Sequence, residues 1–298
     1  MSETRAVFSI IVLLLLVASG CGAPEETDQT IDPPRRIVSM SPGLTETLFA
    51  LGVGDRIVGV TRFCMYPVEA QEIPRIGGYL DPNWEAIIAL RPDLVVLMES
   101  HRQAEERLTS FGLRSMNIDQ HDIPSILESF EILGRVCGVK KNGENLRQSV
   151  EEKLSRTQMI VSSLPRPQVL VSIGREAGSG RIGSVWAAGA GTFFDDILKM
   201  AGGENALGKT HVGAYPEISR EGLLHLDPDI ILDVFPDLEE RGLSVETVVE
   251  DWADLEALTA VRQMRVHVLS QPFMTIPGPR VGEVVETVAK TLHPEVDW

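Results

Sequence analysis

The feature of this sequence that most constrains its fold is an internal repeat. Residues 85–96, EAIIALRPDLVV, match residues 221–232, EGLLHLDPDIIL, with identical residues at Glu85/Glu221, Leu90/Leu226, Pro92/Pro228 and Asp93/Asp229. In each copy an amphipathic helical turn meets a Pro-Asp corner and then a run of aliphatic residues, which is the pattern of a helix that leads into a buried parallel strand. The repeat predicts two related lobes, each presenting one carboxylate from an equivalent place.

The rest of the chain alternates between strand and helix patterns on both sides of one long helical segment. Strands are predicted at residues 36–40, 56–60, 94–98 and 113–118, and again at 169–173, 230–234 and 266–269. Because strands and helices alternate, each half is predicted to form a mostly parallel sheet. Between the halves, apolar residues mark one face of a single helix that ends at Pro165, namely Leu146, Val150, Leu154 and Val161.

We therefore expect an α/β protein with two Rossmann-like lobes. A chain of 298 residues suits two domains of ordinary size. The expected boundaries are an N-terminal lobe at 36–139, a rigid bridging helix at 140–166 and a C-terminal lobe at 167–298. Ligands of open parallel sheets bind at the carboxyl ends of the strands, so the ligand cleft is expected between the lobes.

Three local predictions concern the ends of elements. Ser41 and Pro42 are predicted to open the first helix, with Ser as its cap and Pro at its first position. Asp81-Pro82 is predicted to cap the helix that carries Glu85. Residues 174–186 contain the motif G-x-G-x-x-G but lack the helix and acidic residue of a dinucleotide site, so they are predicted to be a mobile glycine loop at the cleft.

The charge balance excludes nucleic acid as a partner. The chain has 43 acidic and 27 basic residues, a formal net charge of −16. Phosphate backbones are bound by clustered Lys and Arg, which this composition does not provide. The hydrophobic content of 43% is that of a globular protein and not of a disordered one.

The N-terminus has the pattern of an exported lipoprotein. Residues 6–17 form an apolar run of 12 residues, too short to span a bilayer comfortably, and small residues precede Cys21. This pattern predicts a signal peptide at residues 1–20 and a lipid on Cys21. The alternative is an uncleaved anchor in which Cys21 stands by chance. Residues 21–35 are polar, acidic and contain prolines, so a flexible tether is expected there.

No motif in the sequence indicates a catalytic centre. The six His residues show no zinc spacing, and His225 is interpreted as a core or surface residue of a helix. The chain also lacks a Gly-x-Ser-x-Gly nucleophile elbow and a Cys-x-x-Cys pair. We expect neither a resident metal nor a cofactor. Cys64 and Cys137 could pair in an exported protein, a question that the sequence leaves open.

Aromatic residues concentrate in the loops that follow the predicted strands. Only 5% of the chain is aromatic, yet these loops contain six candidate ligand-binding residues: Phe63, Tyr66, Tyr79, Trp186, Phe235 and Phe273. Each one alone is more often packed beneath its loop than in contact with a ligand. Together they predict an apolar, stacking cleft between the lobes.

Glu85 and Glu221 stand at the same offset in the two copies of the repeat. A carboxylate in the first turn of a helix is stabilised by the positive end of the helix dipole, which accounts for either residue alone. The dipole does not by itself require that both copies keep the carboxylate at one offset.

Seven motifs, in this order, carry a resemblance to a known family: RIVSMSP (36–42), TETLFALG (45–52), YP (66–67), NWEAIIALRPDLVV (83–96), AGGEN (201–205), SREGLL (219–224) and PGPR (277–280). Over about residues 36–292 the chain resembles the substrate-binding proteins of ABC importers for cobalamin and ferric siderophores. The resemblance implies two lobes, a rigid bridging helix and a ligand in the cleft. It also implies that one Glu of each lobe, here Glu85 and Glu221, docks on basic residues of a permease dimer.

The same resemblance favours a corrinoid as the ligand. Phe63, Tyr66 and Tyr79 fall where the cobalamin binders carry cleft aromatics, and Trp186 lies in the facing loop. An anionic catecholate chelate is usually bound by several cationic side chains. These loops contain few arginines: Arg62, Arg75, Arg175 and Arg181. A ferric siderophore and heme remain alternatives, and an exported α/β enzyme is the alternative of a different class. We expect an exported, membrane-anchored, monomeric lipoprotein that delivers a metal chelate to a permease.

Overall fold

The first of two sheets is entirely parallel. It contains four strands in the order β2-β1-β3-β4, with the bounds β1 (Ile37–Ser39), β2 (Ile57–Val60), β3 (Leu94–Met98) and β4 (Ser115–Ile118). The structure is a computed structural model that describes residues 32–208 and 213–298. The predicted signal peptide, Cys21 and the tether up to residue 31 lie outside the described residues.

Four helices accompany this sheet: α1 (Pro42–Ala50), α2 (Trp84–Ala89), α3 (Arg102–Ser110) and α4 (Ile123–Val136). As predicted, Ser41 caps α1 by accepting from the backbone N–H of Leu44, and Pro42 occupies the first helical position. The predicted Asp81-Pro82 cap of α2 is wrong. Asn83 caps that helix instead, whereas the Asp81 carboxylate is paired with Arg62 at 2.7 Å.

The second sheet is mixed, with strands in the order β10-β9-β5-β6-β8. Their bounds are β5 (Gln168–Gly174), β6 (Ser184–Ala187), β7 (Glu204–Asn205), β8 (Glu217–Ser219), β9 (Ile230–Val234) and β10 (Val266–Leu269), and β7 pairs with β5. Strand β6 runs antiparallel to both β5 and β8, while the other pairs are parallel. The last part of the stretch 174–186, predicted as loop, is therefore strand.

Six helices complete the description: α5 (Lys140–Val161), α6 (Phe193–Met200), α7 (Arg220–Leu226), α8 (Val245–Asp251), α9 (Thr259–Arg262) and α10 (Val281–Leu292). Helix α5 runs without a break from Lys140 to Val161 and ends before residue 166, the predicted end of the bridging helix. At its start Asn142 donates to the carbonyl of Leu51 at 2.9 Å, and in its middle Lys153 reaches Glu283 of α10 at 3.2 Å. It also packs against α4 and α6. Its rigidity and the lobe boundaries stay predictions.

The two copies of the repeat build the same corner. The Asp93 carboxylate accepts from the backbone N–H groups of Arg35 and Arg36, just before β1, at 2.8 and 3.0 Å. In the second copy the Asp229 carboxylate accepts from the backbone N–H of Gln168, the first residue of β5, at 2.8 Å. Each Pro-Asp corner thus fixes the start of the neighbouring parallel strand, which explains why both copies contain it.

Apolar side chains cover both faces of each sheet. In β3, Leu94 and Val96 pack on one face, and Val95 and Leu97 pack on the other. The central strands of the second sheet divide in the same way. Burial on two faces explains the continuous apolar runs of the repeat, which do not alternate with polar residues.

Cys64 and Cys137 are both buried thiols and are not joined by a disulfide. They belong to the same hydrophobic cluster of the first sheet. Burial raises the pKa of the Cys137 thiol to about 11, which keeps it protonated and unreactive at neutral pH. The pairing that the sequence left open is therefore absent in this structure.

Candidate functional site

Three large aromatic side chains remain half exposed beside the carboxyl ends of the strands. The exposed fractions are 54% for Phe63, 51% for Tyr66 and 50% for Trp186. Phe63 and Tyr66 follow β2, and Trp186 is held on β6 opposite Gly174, the last residue of β5. Exposed aromatic faces at this edge of the sheets are suited to an apolar or planar ligand.

Arg280 brings two of the predicted aromatics together. Its guanidinium carbon lies 4.2 Å from the ring centroid of Tyr66 and 5.0 Å from that of Phe273. Tyr66 belongs to the first half of the chain and Phe273 to the second, so this cation–π arrangement spans the two predicted lobes.

The same guanidinium is held by a carboxylate from the first half of the chain. Arg280 donates to both oxygens of Glu46, on α1, at 2.8 and 2.6 Å. Glu46 is 3% exposed, and burial raises its pKa although the hydrogen bond from Arg280 acts in the opposite direction. Neither residue has a local sequence signal for this role, because the two positions are 234 residues apart.

A close backbone approach accompanies this ion pair. A Cβ atom on Gly43 would lie 1.9 Å from the carbonyl oxygen of Pro277, so only glycine fits at the start of α1. The PGPR motif therefore contacts α1 at Gly43, and this contact places Arg280 beside Glu46. Next to the pair is a cavity of about 680 Å³ lined from both halves of the chain, by Glu46, Phe49, Tyr66 and Pro67 on one side and by Pro279, Arg280 and Glu283 on the other.

Trp186 borders a second cavity, of about 770 Å³, together with the glycine loop. The predicted mobility of that loop is not supported by its contacts. The buried carboxylate of Asp251 accepts from the backbone N–H groups of Gly178 and Gly180 at 2.7 and 2.6 Å. It also accepts from Arg175 at 2.7 Å. Although burial alone would raise the pKa of Asp251, these hydrogen bonds hold it below its usual range.

Phe235 does not present its ring to solvent. It is 3% exposed and packs with Leu238 and Val248. Arg175 and Arg241 lie over its ring at 5.2 and 5.7 Å. Its contribution is to support the loop after β9, which corrects the expectation that it faces the ligand.

Tyr79 lies against His101, with ring centroids 3.7 Å apart. Both residues line a third cavity, of about 480 Å³, which also includes Trp84 and Arg107. His101 ends a short 3-10 turn, Glu99–His101, directly after β3. The six histidines show no common spacing in the sequence, so no local pattern distinguishes His101.

Three of the four arginines considered as ligand contacts are already engaged. Arg62 pairs with Asp81, Arg75 donates to the carbonyls of Thr61 and Cys64 at 3.0 Å, and Arg175 is enclosed between Asp233 and Asp251. For Arg181, no side-chain hydrogen bond or ion pair occurs within residues 32–208 and 213–298. The loops therefore contain few cationic side chains that are available to a ligand, which makes them poorly suited to a highly anionic chelate.

Glu85 and Glu221 occupy the same position in equivalent helices. Each is the second residue of its helix, is exposed, and follows a capping residue, Asn83 or Ser219, whose side chain accepts from the third backbone N–H. The backbone amide of Glu221 itself, followed by the side chain of Ser219, lowers the pKa of the Glu221 carboxyl. The structure thus places two exposed carboxylates in matched settings.

Two further searches concern metals and membranes. In the described part of the chain, His, Cys, Asp and Glu side chains form no group of three that could hold a metal ion. Among those same residues, no helix combines the length and the apolar character needed to cross a bilayer.

With this geometry, the chain belongs to the periplasmic binding protein family, whose model matches residues 37–272. The members of that family bind substrates for transport and are not enzymes, which excludes the enzyme alternative. The resemblance inferred from the seven motifs is confirmed.

Individual relatives agree with this assignment and differ in their ligands. The chain is 24% identical to the ABC transporter substrate-binding lipoprotein YvrC of Bacillus subtilis, over 99% of each chain. It is also 24% identical to a vitamin B12-binding protein of Vibrio parahaemolyticus, over 87% of this chain and 90% of that protein. A solved periplasmic heme-binding protein from Pseudomonas aeruginosa has a TM-score of 0.76 at 26% identity, covering 89% of this chain and 94% of that one. Such solved structures confirm the predicted α/β fold class.

Proposed function

We propose that the protein is the substrate-binding lipoprotein of an ABC importer and that it binds a corrinoid in the cleft between its lobes. The observation that carries the proposal is the trio of half-exposed aromatics, Phe63, Tyr66 and Trp186, beside the carboxyl ends of the strands. Exposed aromatic faces suit a large, flat, mostly uncharged macrocycle. The vitamin B12-binding relative of Vibrio parahaemolyticus supports the same ligand.

The charges of the loops support a corrinoid over a ferric catecholate siderophore. Arg62, Arg75 and Arg175 are occupied by protein oxygens, so a ligand with several negative charges would have to break these contacts. A corrinoid carries mainly amide groups on its edge and needs few cations. Heme is the second candidate, because the relative from Pseudomonas aeruginosa binds heme.

A binding panel tests the ligand. Calorimetry with cyanocobalamin, hemin and a ferric siderophore should show one site per chain for cyanocobalamin. Phe63→Ala and Trp186→Ala should each weaken that binding by about 1–3 kcal/mol, the usual loss when a stacking platform is removed.

Trp298→Ala is the matched control for this panel. Trp298 is 36% exposed but lies after α10, beside Lys290 at 5.9 Å and away from the proposed ligand loops, so its removal should leave ligand affinity unchanged. Tight binding of hemin or of the siderophore without any cyanocobalamin binding would reverse the order of the candidates.

The proposed partner is a permease dimer that receives the protein through Glu85 and Glu221. Their matched positions on α2 and α7, both exposed, support this role. A dimeric permease has a twofold axis of its own, so two equivalent basic sites can meet two equivalent carboxylates.

The proposed anchor is a lipid on Cys21, which places the exported protein at a membrane. The name of the relative YvrC, a lipoprotein, supports it. Cys21→Ser should move the protein from the membrane fraction to the soluble fraction and abolish labelling by a fatty-acid analogue. An unchanged membrane fraction would instead identify residues 6–17 as an uncleaved anchor.

A further inference from the structure

His101 is a buried histidine whose tautomer is set by the backbone. It is 6% exposed, and its Nδ1 accepts a hydrogen bond from the backbone N–H of Met98 at 3.3 Å. An imidazole nitrogen that accepts carries no proton, so the ring proton resides on Nε2. Burial also lowers the pKa of His101, which keeps the ring neutral at neutral pH.

The Nε2–H group of His101 is left without a partner. Nε2 is inaccessible to solvent and makes no hydrogen bond within the parts of the chain that the structure describes. A buried, unpaired donor destabilises a fold, so a partner supplied by a bound molecule would remove this cost. The missing partner is a hydrogen-bond acceptor.

The surroundings of His101 show where that acceptor enters. The ring of Tyr79 covers the imidazole at 3.7 Å between centroids, and both border the cavity of about 480 Å³. Trp84 forms another wall, with the guanidinium of Arg107 over its ring at 5.3 Å. Since β3 ends three residues before His101, the cavity opens at the same sheet edge as the predicted ligand loops.

We propose that the Nε2–H group of His101, once the covering ring of Tyr79 turns aside, binds a carbonyl-type oxygen on the edge of the transported ligand, in the pocket between Tyr79 and Trp84. This inference rests on the proposed function. The oxygen is an amide carbonyl if the ligand is a corrinoid and a propionate carboxylate if it is heme. Coordination of the metal by Nε2 would require the ring proton to move to Nδ1, which faces the backbone N–H of Met98. His101 thus orients the ligand and favours ligands that carry a hydrogen-bond acceptor on their edge.

Two variants distinguish the effect of the Nε2–H donor from the effect of the packing of the imidazole ring. His101→Asn places an amide oxygen where Nδ1 was, so it keeps the acceptor for Met98 and removes the Nε2 donor. His101→Gln extends an amide N–H to about the position of Nε2 and keeps a donor there. Calorimetry with cyanocobalamin and with hemin should show about 5- to 30-fold weaker binding for His101→Asn and a loss of less than about threefold for His101→Gln. Both variants should melt close to the wild type.

The proton on Nε2 gives a second readout in the wild-type protein. In ¹⁵N-histidine-labelled protein its resonance should move downfield on addition of whichever probe binds, because a new hydrogen bond deshields it. Equal binding by His101→Asn and the wild type, or an unmoved resonance, would overturn the inference and leave the proposed function intact. Parallel losses of binding and melting temperature in both variants would show a purely structural histidine. If neither probe binds the wild type, the proposed function fails and the inference fails with it.

Discussion

The Glu46–Arg280 ion pair joins the two halves of the chain. The Glu46 side chain is 2% exposed and that of Arg280 is 18% exposed, so solvent screens their attraction only weakly. A buried pair of this kind adds modest net stability when intact, but removal of one partner leaves the other charge buried and unpaired. The pair therefore controls whether the PGPR segment stays on α1.

We predict that Arg280→Met lowers the free energy of unfolding at pH 7 by about 3–5 kcal/mol. Urea titrations measure this loss. Lys290→Met removes the exposed cation from a surface pair on the same helix and should cost no more than about 1 kcal/mol. A loss in Arg280→Met no larger than in Lys290→Met would show that the pair is dispensable.

The loss of stability in Arg280→Met should depend on pH in a defined direction. The folded-state pKa of Glu46 is raised above its usual value, so this group's contribution to stability is present in acid and is lost as pH rises through the folded pKa. Without Arg280 the buried carboxylate depends still more on a proton. The deficit of Arg280→Met relative to the wild type should therefore shrink between pH 7 and about pH 4. A deficit that grows in acid would contradict this assignment.

At the residue scale, sequence reasoning found individual candidates but not their partners. The six aromatics were identified from their place after strands, and Phe63, Tyr66 and Trp186 are indeed exposed. Phe235 was not distinguishable from them, because its burial depends on Arg175, 60 residues away, and on the loop that Asp251 fixes. Contacts between residues far apart in the chain have no local signal.

At the scale of elements, the corners of the repeat share one more property. Arg91 has φ of 45° and Asp227 has φ of 38°, and the two occupy the same position in the two copies. Both end a helix in the left-handed region, which favours glycine. Asp227 is held there by Thr259, whose N–H and hydroxyl donate to its carboxylate at 2.6 and 3.0 Å.

This difference predicts opposite outcomes for one substitution at two equivalent sites. Arg91→Gly should raise the free energy of unfolding by about 0.5–1 kcal/mol, because glycine relieves the backbone strain. Asp227→Gly gains the same relief but loses two hydrogen bonds to Thr259, so it should be neutral or destabilising. Thermal and urea unfolding of both variants measure the contrast. Equal stabilisation at both sites would mean that the Thr259 contacts contribute nothing.

Elements with a strong local pattern were predictable, and weakly apolar ones were not. The strands at 94–98, 230–234 and 266–269 have the predicted bounds, because each is a buried apolar run with a clear boundary. Strands β6 and β8 were missed. They are short and contain polar residues such as Ser184 and Glu217. Strand β6 forms through antiparallel pairing with β5, and β8 forms through antiparallel pairing with β6.

At the scale of the whole molecule, the repeat gives the protein two matched helix ends. Glu85 and Glu221 follow the same kind of cap, at the same helical position, and both are exposed. Exposed ion pairs act mainly on orientation and on the rate of encounter, because solvent and salt screen them. The proposed role of these carboxylates is therefore to align the protein on its permease and not to hold it there.

Uptake measurements distinguish this role from helix stabilisation. Glu85→Ala and Glu221→Ala should each reduce uptake by at most about fivefold, and the double variant by roughly the product of the two losses, because the sites are independent. Ligand affinity should stay unchanged and melting temperatures should move little. Raising the salt concentration should lower wild-type uptake and reduce the difference in uptake between the wild type and the double variant, since screening weakens the intact pairs.

Glu246→Ala is a matched control, because this exposed Glu is also the second residue of its helix, α8, and follows a Ser cap. If the double variant transports normally but melts markedly lower, the two carboxylates serve their helices and the docking proposal is wrong.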